Sequence, residues 1–149
     1  GNVMNRSTRE FMAPSYNNFG DLKLSLINDD GQRITKGVAN LVADVFLEPP
    51  DARCTHVIIL DGDKTNVWAE NLALRPKWFA WRYTRQHKQT HPTHFHAISA
   101  QALETGLVYK NVVVAATENG LMVSDVWRSA VTGSGVYPTN THFVFFNRV

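Results

Sequence analysis

The segment 57–72 constrains the fold most, because it places a short apolar run directly beside a tight polar turn. Val57–Leu60 has the length and apolar character of a short buried strand. The residues Asp-Gly-Asp-Lys at 61–64 follow at once, and they favour a turn because glycine accepts a positive φ and aspartate binds nearby backbone N–H groups. The segment therefore predicts a strand that ends in a structured polar loop.

A β-hairpin and a helix are predicted upstream of this strand. Leucines alternate with polar residues over 22–26, which is typical of a half-buried strand. The residues Asn-Asp-Asp-Gly at 28–31 favour a turn, and 32–35 supplies the returning strand. Apolar residues then recur at helical spacing over 38–46, and the prolines at 49–50 end that helix.

Downstream, apolar periodicity and turn residues predict four more elements. They are helices over Lys77–Lys88, Asn111–Asn119 and Ser124–Thr132, and a strand over Thr141–Phe146. These elements divide the chain into an N-terminal arm (1–15), a core (16–88), a linker (89–108) and a helical module (109–149). We therefore expect an α+β protein, with a hairpin and a core of strands and helix followed by a small helical module and a terminal strand.

Composition predicts an ordered protein and indicates its cellular compartment. Hydrophobic residues make up 44% of the 149 residues, enough for a core, so we expect disorder only near the first dozen residues. Cys54 is the only cysteine, which fits a reducing compartment. No apolar run approaches the roughly 18 residues of a membrane helix. We expect a cytoplasmic protein that has no membrane partner.

The C-terminal module has the residue pattern of a helix-turn-helix. Gly120 supplies the turn between the two predicted helices, and Ser124 is a good N-cap for the second one. Val126 and Ala130 are expected to face inward. The residues left for the outer face are Asp125, Trp127, Arg128 and Ser129. Two short helices around a glycine also occur in folds that bind nothing, so the pattern alone leaves binding open.

Segments 41–47 and 57–72, read together, closely resemble the HNH homing endonucleases common in phages. The matching positions stand in the family's register and are Asp61, Gly62, Lys64, Asn66, Glu70, Asn71 and Leu72. The upstream hairpin also resembles the family's usual lead-in, and the match spans roughly residues 16–75. The resemblance implies a ββα-metal core in which a histidine activates the water that attacks the phosphodiester. A divalent cation there stabilises the charge of the transition state and the leaving oxygen.

The departures from that family decide the expected chemistry. The resemblance implies a general-base histidine at position 59, a polar metal ligand often at 58, and an Asn or His ligand at 80. This chain has Ile58, Ile59 and Ala80 there, and Ala39 replaces a histidine that often precedes the residues Leu-Val-Ala, here 41–43. Isoleucine can neither accept a proton nor bind a metal. His56 lies three residues before position 59, and that odd offset points it to the opposite strand face. We predict a degenerate core without catalytic residues, metal or cofactor.

DNA binding is the expected remaining activity, with double-stranded DNA as the partner. The C-terminal helix pair and the run THFVFF resemble the small DNA-binding module appended to many phage homing endonucleases. The resemblance implies base contacts from Arg128, with Ser124, Trp127 and Ser129 beside it. Phosphate contacts are expected from the basic residues Lys64, Arg75, Lys77, Arg82, Arg85 and Lys88. In the alternative interpretation the 77–88 helix is a solvated face, with Trp78 and Trp81 packed into the core.

Three functions stay open on the sequence. The first is an inactive HNH relative, encoded by a phage, that binds DNA in a regulatory or accessory role. The second is a phage protein that binds and modulates a host or phage protein complex. The third is an active metal-dependent nuclease with an unorthodox site. The histidines 87, 91, 94 and 96 invite a zinc site, but Pro92 and the absence of nearby cysteines favour a polar linker. The sequence leaves the oligomeric state unknown.

Overall fold

A computed structural model describes residues 2–146 of the chain, and the ends of the predicted arm and module, residues 1 and 147–149, lie outside them. β1 (Ser15–Tyr16) pairs with β2 (Leu22–Ile27), and β2 pairs with β3 (Arg33–Gly37), all antiparallel. The leucines of β2 turn toward the core, whereas Ser25 between them is exposed. The predicted hairpin is confirmed, although its second strand starts one residue later and runs to Gly37.

The chain passes from β3 directly into α1 (Val38–Phe46), which ends before Pro49 as predicted. β4 (His56–Ile59) and β5 (Leu72–Arg75) form an antiparallel pair, connected through the polar loop and one turn of 3-10 helix. α2 (Lys77–Gln86) follows at once and packs on β4. Two antiparallel strands and a covering helix therefore form the predicted ββα core.

Six further elements complete the described chain: α3 (Thr93–Ala97), β6 (Ser99–Ala102), β7 (Val108–Tyr109), α4 (Val112–Glu118), α5 (Val123–Thr132) and β8 (Phe143–Phe146). β6 lies between β7 and β8 and is antiparallel to both. Helices α4 and α5 and strand β8 occur where they were predicted. In the part of the chain that the structure describes, every helix is too short or too polar to cross a membrane. The predicted α+β class is confirmed.

Two segments are more ordered than the sequence indicates. The predicted linker, 89–108, contains α3 and β6 rather than irregular chain. β6 pairs on one side with the adjacent β7 and on the other with β8, a strand far along the sequence. Its residues, Ser-Ala-Gln-Ala, carry little strand signal of their own. The predicted arm also folds back, since Met4 and Phe11 form a β-bridge and Val3 packs against the core.

The buried face of α2 differs from the expected one. Trp78 and Trp81 are 54% and 61% exposed, so the interpretation that places them in the core is wrong. Phe79, Tyr83 and Gln86 are buried instead, at the i, i+4, i+7 spacing that keeps side chains on one helical face. Both tryptophans therefore remain on the solvent side of the helix.

The buried side chains of β5 and α2 satisfy the end of α4. Arg75 is 5% exposed, and its guanidinium donates to the carbonyls of Asn119 and Gly120, each at 3.1 Å. The hydroxyl of Tyr83 donates to Leu60 O at 2.8 Å and lies 3.2 Å from the Thr117 carbonyl. The carbonyls at a helix C-terminus lack intrahelical partners, and a cation there also complements the helix dipole. Arg75 therefore caps α4 from another part of the chain, and the Tyr83 hydroxyl links that end of α4 to Leu60.

Gln86 of α2 performs the matching task at the start of α5. Its side-chain Oε1 accepts a hydrogen bond from Val123 N and its Nε2 donates to Leu121 O, both at 3.1 Å. The predicted N-cap, Ser124, instead lies inside the first turn, and the N-cap residue Met122 provides no side-chain bond. Ser124 was the wrong N-cap because a glutamine from another helix already holds the first N–H group.

We expect Gln86→Ala to lower the free energy of unfolding by about 2–4 kcal/mol, because two buried backbone groups lose their partner. Chemical denaturation monitored by circular dichroism measures the change. Gln89→Ala is the matched control, since Gln89 is exposed just beyond the same helix. Equal stabilities of the two variants would show that the Gln86 bonds contribute nothing.

Candidate functional site

A cleft of about 760 Å³ opens where the N-terminal sheet, α1 and the ββα core meet. Val57, Ile59 and Leu74 contribute apolar side chains from the β4–β5 pair. A second cleft of about 350 Å³ shares Val57 and Ile59 and extends to the C-terminal end of α2. The two clefts together cross the face of β4.

The positions that depart from the HNH pattern gather at this cleft. Ile59, Ala80 and Ala39 come from three different elements and all line it. Ile58 lies on the other side of β4, where it is 2% exposed and packs with Phe79. Successive strand residues point to opposite faces, so only one of the two isoleucines can reach the cleft. The expectation that both isoleucines fill this place is therefore corrected for Ile58, whereas Ile59 is half-buried on the cleft wall.

The rim of the cleft carries charge, and one ion pair fixes part of it. Lys64 Nζ lies 2.7 Å from an Asp21 carboxylate oxygen and donates to Phe19 O at 2.8 Å. Burial alone raises the pKa of Asp21, but hydrogen bonds from Lys64 and Asn17 outweigh it and leave that pKa below its ordinary value. Lys64, predicted to contact DNA, thus anchors its loop to the start of β2. Lys23 and Lys36 are the other lysines along this cleft.

His56 also borders the cleft, at the first residue of β4. Its Nδ1 lies 3.0 Å from the hydroxyl of Thr55, and the side chain is exposed. Among residues 2–146, no three side chains of His, Cys, Asp or Glu converge in a way that could hold a metal ion. In the histidine-rich segment, His94 packs edge-on against Trp127 with ring centroids 4.8 Å apart. The side chains that line the cleft therefore include a single histidine without a carboxylate partner.

The polar loop 61–66 is held by its own motif residues. Asn71 Nδ2 donates to Asp61 Oδ1 at 2.9 Å, and Asn66 Nδ2 donates to Asp61 Oδ2 at 2.7 Å. These bonds outweigh burial, which acts in the opposite direction, and lower the pKa of Asp61. Asn71 also accepts a hydrogen bond from Asp61 N at 3.2 Å, so it buttresses the loop from outside it. The conformation of the loop thus depends on hydrogen bonds within the motif.

Gly62 brings this loop against the end of α2. Its φ is +76°, and a Cβ at this position would lie 2.7 Å from the ring of His87. Burial lowers the pKa of His87, although the nearby Asp61 carboxylate acts in the opposite direction. The glycine is therefore required both by backbone conformation and by close contact.

Gly62→Ala should destabilise the fold by about 1–3 kcal/mol more than Gly31→Ala, because overpacking against His87 is added to the backbone cost. Gly31 is the matched control, since its φ is also +76° and nothing lies within 4 Å of an added Cβ. Thermal denaturation of both variants measures the difference. The added loss should disappear in the Gly62→Ala/His87→Ala double variant relative to His87→Ala, and its persistence would contradict the contact.

The basic surface of α2 is smaller than predicted. Lys77, Arg82, Arg85 and Lys88 are exposed and accessible to phosphate groups. Arg75 is buried in its capping role, so its assignment as a DNA contact is wrong. The arginine was misassigned because a charge run shows no sign of which member caps a distant helix.

The outer face of α5 is also revised. Arg128 is exposed, with its Nη1 3.4 Å from an Asp125 oxygen one helical turn away, and Ser124 is exposed on the same stripe. Ser129 is 1% exposed, and its hydroxyl accepts a bond from Phe143 N at 2.9 Å. Trp127 is half-buried against Phe145. Ser129 is excluded from the surface because β8, remote in sequence, covers that side of the helix.

One group of exposed side chains was missed entirely by the sequence reasoning. The ring of Trp78 stacks on Tyr137 with centroids 5.8 Å apart and planes 23° apart. The guanidinium of Arg53 lies over the ring of Tyr137, 5.9 Å from its centroid. These three residues come from distant parts of the chain, so no local pattern could have brought them together.

Comparison with known proteins gives one match. No protein-family model and no curated protein matches the chain. A solved structure of the HNH homing endonuclease I-HmuI, which concerns DNA binding and cleavage by that enzyme, matches with a TM-score of 0.51 and 18% sequence identity. The match covers 99% of this chain and 89% of that chain. The described part of the chain therefore has an α+β fold like that of this HNH homing endonuclease.

Proposed function

We propose that this chain is a phage-encoded DNA-binding protein with an HNH-like fold that does not cleave DNA and acts in a regulatory or accessory role. The observation that carries the proposal is the convergence of Ile59, Ala80 and Ala39 on one cleft. By the resemblance to HNH endonucleases, these positions include those of the general base and a metal ligand. The cleft is thus present, but apolar side chains stand at the positions where the resemblance implies reactive ones.

Phosphodiester hydrolysis requires groups that these side chains cannot supply. A base must accept a proton from water, and a cation must be held against the developing negative charge. The side chains of isoleucine and alanine have no atom for either task. His56 could accept a proton, but nothing along the described cleft wall provides the clustered ligands that would place a metal beside it.

Two exposed basic surfaces support duplex binding. α2 presents Lys77, Arg82 and Arg85 to solvent, and Lys88 is exposed just beyond its end. α5 presents Arg128 beside Ser124. Lysine and arginine contacts to phosphates supply sequence-independent affinity, and an arginine at a helix surface can bind guanine in the major groove. We infer a helix-turn-helix-type role for α4 and α5, with Arg128 the base-contacting residue and α2 contacting the backbone.

Supercoiled plasmid incubated with the protein and Mg²⁺ or Mn²⁺ should remain supercoiled, because Ile59 and Ala80 stand where the resemblance implies the general base and a metal ligand. Gel electrophoresis after prolonged incubation measures the nicked fraction. Metal-dependent nicking that His56→Ala abolishes would overturn the proposed inactivity and favour an unorthodox nuclease. Thr55→Ala is the matched control for local disturbance, since Thr55 contacts His56 and cannot act as a base at neutral pH.

Duplex affinity should fall steeply with salt, and Arg82→Ala and Arg128→Ala should each weaken it further. Each lost phosphate contact should reduce the slope of log K against log salt by about 0.9. Loss of a base contact at Arg128 should also narrow the preference between sequences by about 1–3 kcal/mol. Fluorescence anisotropy over a salt series measures both effects.

Arg6→Ala removes the same charge from an exposed turn near the N-terminus and serves as the control for net charge. It should change the salt slope less than Arg82→Ala does. If duplex DNA fails to bind at low salt, the DNA-binding proposal is wrong.

A protein-binding role is the second candidate, and exposed apolar side chains favour it. Val45 and Phe46 at the end of α1 are 74% and 69% exposed, and Phe19 is 79% exposed. Apolar surface of this kind can mark a protein interface. Failure of duplex binding together with capture of a specific phage or host complex would favour this role over the first.

A further inference from the structure

The solvent face of α2 presents two tryptophans that the core does not use. Trp78 and Trp81 lie three residues apart, so their side chains are neighbours on the helical surface. Both are more than half exposed, although each ring carries a large apolar area that burial would stabilise. Their position among cations distinguishes them from scattered surface aromatics.

Cations lie next to the aromatic rings on this face. The guanidinium of Arg85 lies 4.5 Å from the centroid of the Trp81 ring, which fixes one face of the indole by a cation–π contact. On the neighbouring side, Trp78 stacks on Tyr137, and Arg53 lies over that tyrosine while also pairing with Asp51 at 3.0 Å. The five side chains Arg53, Trp78, Trp81, Arg85 and Tyr137 are termed the aromatic platform below.

The charge around the platform is positive. No acidic residue occurs between Glu70 and Glu104 in the sequence. Within residues 2–146, no carboxylate pairs with Lys77, Arg82, Arg85 or Lys88. A cationic ligand would therefore be repelled, whereas a polyanion is attracted. An apolar protein partner would leave these unpaired cations desolvated at its edge, which is costly.

We propose that the aromatic platform binds unpaired bases of single-stranded DNA. Every base offers a π-face, and a basic groove with exposed aromatic rings is the combination that holds single strands without a sequence preference. A regular duplex buries those faces between stacked base pairs. The exposed rings could therefore not stack on its bases, and contacts to its phosphates would not require them. This activity is additional to duplex binding and uses α2 in a different way.

The experiment compares two oligonucleotides of equal length and charge. One is oligothymidine, and the other carries abasic sites throughout, so that the difference in affinity reports base stacking without phosphate attraction. Quenching of tryptophan fluorescence and anisotropy of a labelled strand measure both affinities at low salt. Trp81→Leu removes the π-face but keeps an apolar side chain, and Trp81→Phe keeps a smaller π-face.

Trp68→Leu is the matched control, because Trp68 is 62% exposed and lies outside the platform. The unaltered protein should bind oligothymidine at least about fivefold more tightly than the abasic strand. Trp81→Leu should abolish this preference, whereas Trp81→Phe should retain most of it and Trp68→Leu all of it. The salt slope should stay unchanged in Trp81→Leu, because no phosphate contact is lost.

Equal affinity of the unaltered protein for both strands would overturn the proposal, as would a preference that survives in Trp81→Leu. A loss of preference in Trp68→Leu as large as that in Trp81→Leu would also overturn it. Duplex binding measured in parallel separates this proposal from the proposed function. Duplex binding with equal affinity for the two strands rejects only the platform, and a base preference without duplex binding rejects only the duplex proposal.

Discussion

The buried polar contacts between α2 and the α4–α5 pair are the constraint on which the rest of the structure depends. The end of one helix and the start of the next meet at Gly120, and both would leave backbone groups without partners in a dry interior. Arg75 satisfies the carbonyls of Asn119 and Gly120 just past the end of α4, and Gln86 satisfies an N–H group of α5. These bonds are directional, so they fix the orientation of the C-terminal helices on the ββα core more strictly than apolar packing could. The exposed faces of α2 and α5 are consequently held in one relative arrangement.

The polar loop of the ββα core is held together by residues other than those at the positions where the family resemblance implies a base and a metal ligand. It is held by hydrogen bonds among Asp61, Asn66 and Asn71, and none of these requires a metal or a catalytic base. The two isoleucines of β4 point to opposite faces of the strand because they are consecutive residues. Ile58 packs inward, and Ile59 lines the cleft. The residues that support the loop therefore differ from Ile59, Ala80 and Ala39, which line the cleft.

Local patterns predicted most helices and strands, and long-range contacts account for what they missed. The helix after Pro76 and the helices on either side of Gly120 follow from periodicity and turn residues, which act over a few positions. The burial of Ser129 depends on β8, and the burial of Arg75 depends on the end of α4, so neither is visible in nearby sequence. β6 was missed because Ser-Ala-Gln-Ala carries little strand signal, and one of its two partners, Phe143–Phe146, is remote in sequence. In the candidate site, the replaced positions were identified by spacing, whereas the pairing of Tyr137 with Trp78 required the folded chain.

The placement of β6 has a consequence for treating the C-terminal part as a transplantable unit. A fragment that begins at 109 would lack Ser99–Ala102, the middle strand of its own sheet, and β8 would then have no neighbour in that sheet. The same fragment would also leave α2 behind, together with the glutamine that holds the start of α5. Recombination or protein engineering that moves this helix pair to another host therefore has to carry β6 along and recreate the surface of α2. The α4–α5 pair therefore depends on residues that precede it in the chain, namely β6 and Gln86 of α2.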